Sequence, residues 1–187
     1  MNEVQNAILS RRSIRGYTEE PLAPEQLQAL VDAALASPTA RNTQCWHFSV
    51  VQDQAILDEL NAELTSIIET KLPQGARGRF EEKGYHAFYH APAVIFVSVP
   101  RVTDNRFAQV DAGIAAENIA LSAQGMGLGS VIIGMPMDVF LSGREDYFNE
   151  KLAIPGGYRF AIAVAVGHGA VTKEAHPVGG NKVSYVP

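Results

Sequence analysis

The chain has 187 residues, 47% of them hydrophobic, with a net charge of −5 and a mean hydropathy near zero. That suits one domain over residues 1–187 with a full-sized core. It excludes a membrane span, since no apolar run nears the roughly 20 residues a bilayer crossing needs, and nucleic-acid binding, which needs a basic face to displace counterions.

The start, Met1 to Gln5, lacks a basic-then-apolar leader, and the single Cys45 excludes an internal disulfide framework and a thiolate metal site. A cytoplasmic setting is therefore expected. In chain order, Val4, Ile8 and Leu9 predict one apolar face on a short opening helix. Pro24 opens a second helix, with Leu27, Leu30, Val31, Ala34 and Leu35 as its stripe, and Pro38 requires it to stop near Ser37. Trp46 to Val51 reads as a strand, and Ile56 to Ile68 as a third amphipathic helix. Residues 73–84, with three glycines and five charged residues, are expected to form a variable loop. The apolar run Ala93 to Val99 predicts a strand covered on both faces. Ala108 to Gly125, rich in small residues, predicts a helix that approaches its neighbours closely. Val131 to Ile133 and Phe160 to Gly167 read as strands, and the alternating tail Val183 to Val186 as an edge strand. The elements add up to helices around one sheet.

Three segments carry candidate chemistry. Val4 to Thr18 holds no acid, yet contains Arg11, Arg12 and Arg15 with Ser13 between them. A phosphate needs fixed cationic donors, and arginine supplies a planar fork of N–H groups. The plainer reading is a basic helix terminus, since cations favour the carbonyl end of a helix dipole. Ser37 to Trp46 offers hydroxyls and amides able to read the edge of a planar heterocycle, or is an ordinary connection rich in turn formers. Gly125 to Pro136 is not the dinucleotide fingerprint, because it follows a helix and opens a strand. Its glycines let backbone amides approach a flat ligand. The five histidines lack zinc spacing and no catalytic triad stands out, so no metal site is expected.

Taken in order, these segments resemble the nitroreductase family of flavoproteins. Arg11-Arg12-Ser13-Ile14-Arg15 with Tyr17 is similar to its N-terminal phosphate motif. Ser37-Pro38-Thr39, Asn42, Gln44, Trp46 and Phe48 are similar to its Ser-Pro-Ser-x-x-Asn-x-Gln-Pro-Trp-x-Phe segment, with Cys45 in place of the second proline, and Asp111 to Gly134, with Asn118, to its central helix and following strand. The resemblance implies an α+β fold, a central mixed sheet surrounded by helices, and a C-terminal extension reaching the partner subunit of a homodimer. It implies FMN at the dimer interface: Arg11, Arg12, Ser13 and Arg15 on phosphate, ribityl chain and pyrimidine edge, with Lys182 joining at the phosphate. Pro38, Thr39 and Asn42 would arrive from the partner. The backbone of Ile132, Ile133 and Gly134 would face the central ring. His86 stands where the family often has an asparagine that reads the pyrimidine edge. The implied activity is ping-pong hydride transfer from NADH or NADPH to a small nitroaromatic, quinone or enone. No catalytic side chain is needed, beyond electrostatic support of the reduced flavin from Arg15. Alternatives are a specialised reaction on the same scaffold, such as dehydrogenation or dehalogenation, and a flavin-binding protein without turnover.

Overall fold

A computed structural model describes residues 2–186; Met1 and Pro187, the limits of the expected domain, lie outside the described residues. Helix α1 (Glu3–Ser10) opens on a reciprocal cap: Asn2 Oδ1 accepts from Gln5 N–H at 2.9 Å, and Gln5 Oε1 accepts from Asn2 N–H. Helix α2 (Pro24–Leu35) starts on its proline. Strand β1 (His47–Val51) leads into α3 (Gln54–Lys71), capped by Asp53. Strand β2 (Ala93–Pro100) precedes the long α4 (Ala108–Gly125). Then come β3 (Gly129–Ile133), the short α5 (Met137–Phe140) and α6 (Glu145–Lys151), and β4 (Tyr158–Gly167).

The strands form one sheet in the order β1-β2-β4-β3, antiparallel at every pairing. A mixed sheet was the expectation; the parallel pairing among the described residues is an isolated bridge between Ser13 and Ser130. The pleat of β2 explains the layering. Ala93, Ile95, Val97 and Val99 face α2 and α4, while Val94 and Phe96 face α3 and the aromatic cluster of Phe88, Phe140, Phe148 and Phe160. Burying each such large side chain contributes about 1.5–3 kcal/mol, so both layers are well supported. Along α4, Ala108, Ala112, Ala115, Ala116, Ala120 and Ala123 are buried, the small side chains letting this helix lie close to the sheet.

Helix α1 forms where expected but buries no residue, and its Val4, Ile8 and Leu9 are 66%, 50% and 59% exposed. One expectation is corrected. The tail at residues 183–186 forms no strand in this protomer and is exposed. Residues 73–84 are organised rather than featureless. Glu81 Oε1 accepts from Gly75 N–H and Arg77 N–H, and Arg77 donates to the Leu72 and Glu69 carbonyls at the end of α3.

Candidate functional site

The basic corner begins where α1 ends. Arg11 is its C-cap, and Arg12 folds back so that Nη1 donates to the Leu9 and Arg11 carbonyls, each at 2.8 Å. The plainer reading thus holds for one nitrogen of Arg12, which caps orphaned helix carbonyls. The other side of that guanidinium has no acceptor among the described residues. Arg11 Nε lies 3.2 Å from Glu117 Oε1 on α4, yet it is buried without an aligned hydrogen bond. The donors left for an anion are therefore the terminal guanidinium nitrogens of Arg11, which make no hydrogen bond among the described residues.

The chain then runs beside β3. Ile14 N–H donates to the Ser130 carbonyl at 2.9 Å, which pins Ser13 and Ile14 to the outer edge of the sheet. The approach is tight: a Cβ on Gly129 would sit 2.9 Å from Ile14 Cγ2, so only glycine lets the segment lie there. Backbone groups of a strand alternate sides. With Ser130 facing outward, Ile132 also presents its N–H and carbonyl to that edge, where no described backbone pairs with them. Its side chain is exposed, Ile133 points into the core, and Gly134 follows at the end of the strand. An open edge next to a cationic corner offers backbone donors to a flat, polar-rimmed ligand.

Two further basic residues complete the corner. Thr18 N–H donates to the His168 carbonyl and Ala170 N–H to the Gly16 carbonyl, so the chain after β4 doubles back along residues 16–18. It brings Lys173 and His176 to a cavity of about 350 Å³ that Arg11, Arg12 and Ser13 also line. Lys182, the basic tail residue expected here, instead lies in the exposed tail beside Gly179. The long-range return that selects Lys173 and His176 leaves no local mark on their neighbours, so nothing nearby singled them out. Arg15 is turned elsewhere. Its Nη1 donates weakly to the Ser13 carbonyl at 3.3 Å, and its guanidinium carbon lies 5.9 Å from the Tyr89 ring centre. Tyr17 anchors the segment by donating to the Ile14 carbonyl at 2.8 Å; burial, more than the nearby Tyr89, pushes its pKa up, so it stays a neutral donor.

The polar loop is a strained turn held by α4. Arg41, Asn42 and Gln44 have φ of 55°, 53° and 45°, positions that cost non-glycine residues of order 1 kcal/mol or more each. Such geometry persists only where surrounding bonds over-determine it. The Asp111 carboxylate, 3% exposed, accepts from Ala40 N–H at 3.2 Å and from Asn105 Nδ2 at 2.8 Å. Asn105 also donates to Thr43 Oγ1, Thr39 Oγ1 accepts from Gln44 N–H, Asn42 Oδ1 accepts from Gln44 Nε2, and Asn118 Nδ2 donates to Ser37 Oγ. Pro38 and Asn42 remain exposed, and Thr39 is half-buried. Among the described residues, no hydrogen bond or ion pair joins this loop to residues 11–15.

His86 is buried. Its Nδ1 accepts from Phe88 N–H at 3.2 Å, which leaves the proton on Nε2, 3.2 Å from Asp58 Oδ1. The His90 ring lies against it, centroids 4.5 Å apart and tilted by 32°. Burial lowers the His86 pKa, His90 lowers it further, and Asp58 partly opposes both. His86 nevertheless lines a cavity of about 310 Å³ together with Arg15 and Tyr17, so the two predicted site residues, His86 and Arg15, share one space. A neighbouring cavity of about 430 Å³ runs from Arg15 and Met135 to Arg79, Tyr85 and Tyr89. Residues 73–84 carry no sequence pattern that reads out this lining, because its chemistry appears only once the aromatic side chains converge.

Residues 8–168 match the model of the Nitroreductase family. A nitroreductase with bound FMN from Desulfitobacterium hafniense superposes with a TM-score of 0.93 at 34% identity, covering 100% of both chains. An FMN-dependent nitroreductase from Clostridium difficile gives a TM-score of 0.83 at 31% identity, covering 99% of each. A protein of Archaeoglobus fulgidus named putative NADH dehydrogenase/NAD(P)H nitroreductase is 29% identical over 171 residues, 90% of this chain and 86% of its own. No helix among the described residues is long and apolar enough to cross a membrane.

Proposed function

The chain belongs to the nitroreductase family, and from that premise we propose that it is an NAD(P)H-dependent flavin oxidoreductase. It binds FMN and works as a cytoplasmic homodimer whose protomer is a single FMN-binding domain spanning residues 1–187. One observation carries the reading: a cavity lined by Arg11, Arg12 and Ser13 sits beside the open outer edge of β3. The donor set fits the cofactor. Arg11, Arg12 and Ser13 hold the phosphate, with Lys173 and His176 beside them. Ile132, Ile133 and Gly134 line the ring with backbone groups. Arg15 supports negative charge on the pyrimidine side, where His86 shares its cavity.

The partner subunit supplies the rest. The loop carrying Pro38, Thr39 and Asn42 is prebuilt but faces no basic residue of its own corner, as expected of a segment that completes the other protomer's site. The exposed Val4, Ile8 and Leu9 of α1, with Phe107 just before α4 and Val110 in its first turn, are the apolar surface a second copy covers. The tail with Lys182, unpaired with any strand of its own protomer, extends onto that copy. When held there, FMN would supply hydride chemistry linking NADH or NADPH to a small acceptor, a nitroaromatic, quinone or enone, in a ping-pong cycle. This chain's residues bind and orient; no nucleophile or metal is required of them.

The visible spectrum of the pure protein, before and after NADH without oxygen, tests the reading. A yellow protein that bleaches is expected. A yellow protein that NADH leaves unchanged indicates flavin binding without turnover, and a colourless protein that takes up no FMN overturns the proposal.

A further inference from the structure

The cavity of about 430 Å³ beyond Met135 has a wall built from three aromatic rings and no acidic residue in its lining. Phe80 meets Tyr85 edge-on at 4.9 Å, and Tyr85 meets Tyr89 at 5.9 Å. The guanidinium carbon of Arg79 lies 4.9 Å from the Tyr85 ring centre and 5.3 Å from that of Tyr89. Rings of this kind stack on flat aromatic ligands. The three arginines of the lining are differently committed. Arg77 ties the loop to α3 through the Leu72 and Glu69 carbonyls and pairs with Glu69 at 3.5 Å. Arg15 belongs to the proposed flavin site. Arg79 has one carboxylate partner, Glu82, at 3.4 Å through Nε, in a half-exposed pair that contributes little in water. Its two terminal nitrogens have no acceptor among the described residues. Burial, then the neighbouring Tyr89, pushes the Tyr85 pKa up, so the Tyr85 hydroxyl stays neutral at working pH.

Uncharged rings with one uncommitted guanidinium define a ligand: a planar aromatic that bears an anionic group. Met135 lies two residues past the end of the strand proposed to line the flavin ring, and Arg15 of the proposed flavin site lines the same cavity, so the cavity adjoins that site. We propose that Arg79, with Tyr85 and Tyr89, makes the preferred acceptor an aromatic anion, such as a ring carrying a carboxylate or sulfonate. This rests on the flavin oxidoreductase reading above. For a nitro acceptor each turnover takes a hydride from NADH and one H⁺ from the buffered solution, and yields the nitroso compound, NAD⁺ and one water molecule.

The test compares 4-nitrobenzoate with its neutral analogue 4-nitrobenzamide in the FMN-loaded protein. At the low end of a charged hydrogen bond, kcat/KM should favour the anion by about tenfold. Arg79→Ala should remove that preference while leaving the amide within about twofold, and Arg79→Lys should restore part of it. Equal kcat/KM for the two acceptors in the parent protein, or a preference that survives Arg79→Ala, overturns the proposal. So does an Arg79→Ala effect confined to the KM for NADPH relative to NADH, which would assign the guanidinium to the phosphate of the donor. Calorimetric binding of unreactive benzoate and benzamide decides the matter even in protein that turns over nothing. Tighter benzoate binding that depends on Arg79 sustains the anion site when the oxidoreductase reading fails, and equal binding removes it.

Discussion

The basic corner and the polar loop are both rich in hydrogen-bonding groups, but the fold treats them oppositely. At the loop nearly every polar group is paired inside the protomer: Asp111 with Ala40 and Asn105, Thr39 with Gln44, Ser37 with Asn118. At the corner Arg11 Nε is buried without an aligned acceptor, and the outer edge of β3 is open beyond Ser130. One region holds a strained shape rigidly; the other keeps donors in reserve. A scaffold that positions one segment and leaves another unsatisfied is arranged for a ligand that meets both, and here the two meet across subunits in the proposed dimer.

The sharpest way to break this contrast is Asp111→Ala. It strands the Ala40 N–H and the Asn105 amide in a buried setting, so a loss of about 3 kcal/mol in urea-unfolding stability is expected, along with weaker FMN binding. Unchanged stability would mean that the loop's left-handed residues are not held by α4. Next comes Arg11→Ala, which should weaken FMN binding by about 1.5–3 kcal/mol while shifting unfolding little, because its ion pair with Glu117 is misaligned. A titration showing equal affinity in mutant and parent would remove Arg11 from the site. FMN should in turn raise the melting temperature in proportion to the logarithm of its concentration, as for any ligand that binds only the folded state.

The smallest effect concerns pH. Burial lowers the pKa of His47 and His86 below 6.5. Both rings are neutral above that value in folded and unfolded chains alike. As the pH falls below 6.5, the unfolded chain takes up protons first, and the stability these neutral rings contribute is lost on approach to their lower folded-state values. Urea midpoints measured from about pH 7.5 to about pH 5 should therefore decline, and His47→Gln and His86→Gln should each flatten the slope. A slope unchanged in both variants would place the pH dependence elsewhere.

Much of the architecture follows from local pattern. Pro24 at a helix start, the unbroken apolar run of β2, and the alanines of α4 each constrain one element, because periodicity and turn chemistry act over a few residues. The order and spacing of the Arg11–Arg15, Ser37–Phe48 and Asp111–Gly134 segments were enough to indicate the family. Tertiary structure alone decided the rest. It made the sheet antiparallel throughout, turned His86 Nε2 toward Asp58, and left the face of α1 without cover. It also folded residues 169–178 back so that Lys173 and His176, rather than Lys182, joined Arg11 and Arg12 within the protomer. These outcomes depend on which distant segments pack together, and such pairings are set by the balance of burial and hydrogen bonding over the whole chain, which no short stretch of residues encodes.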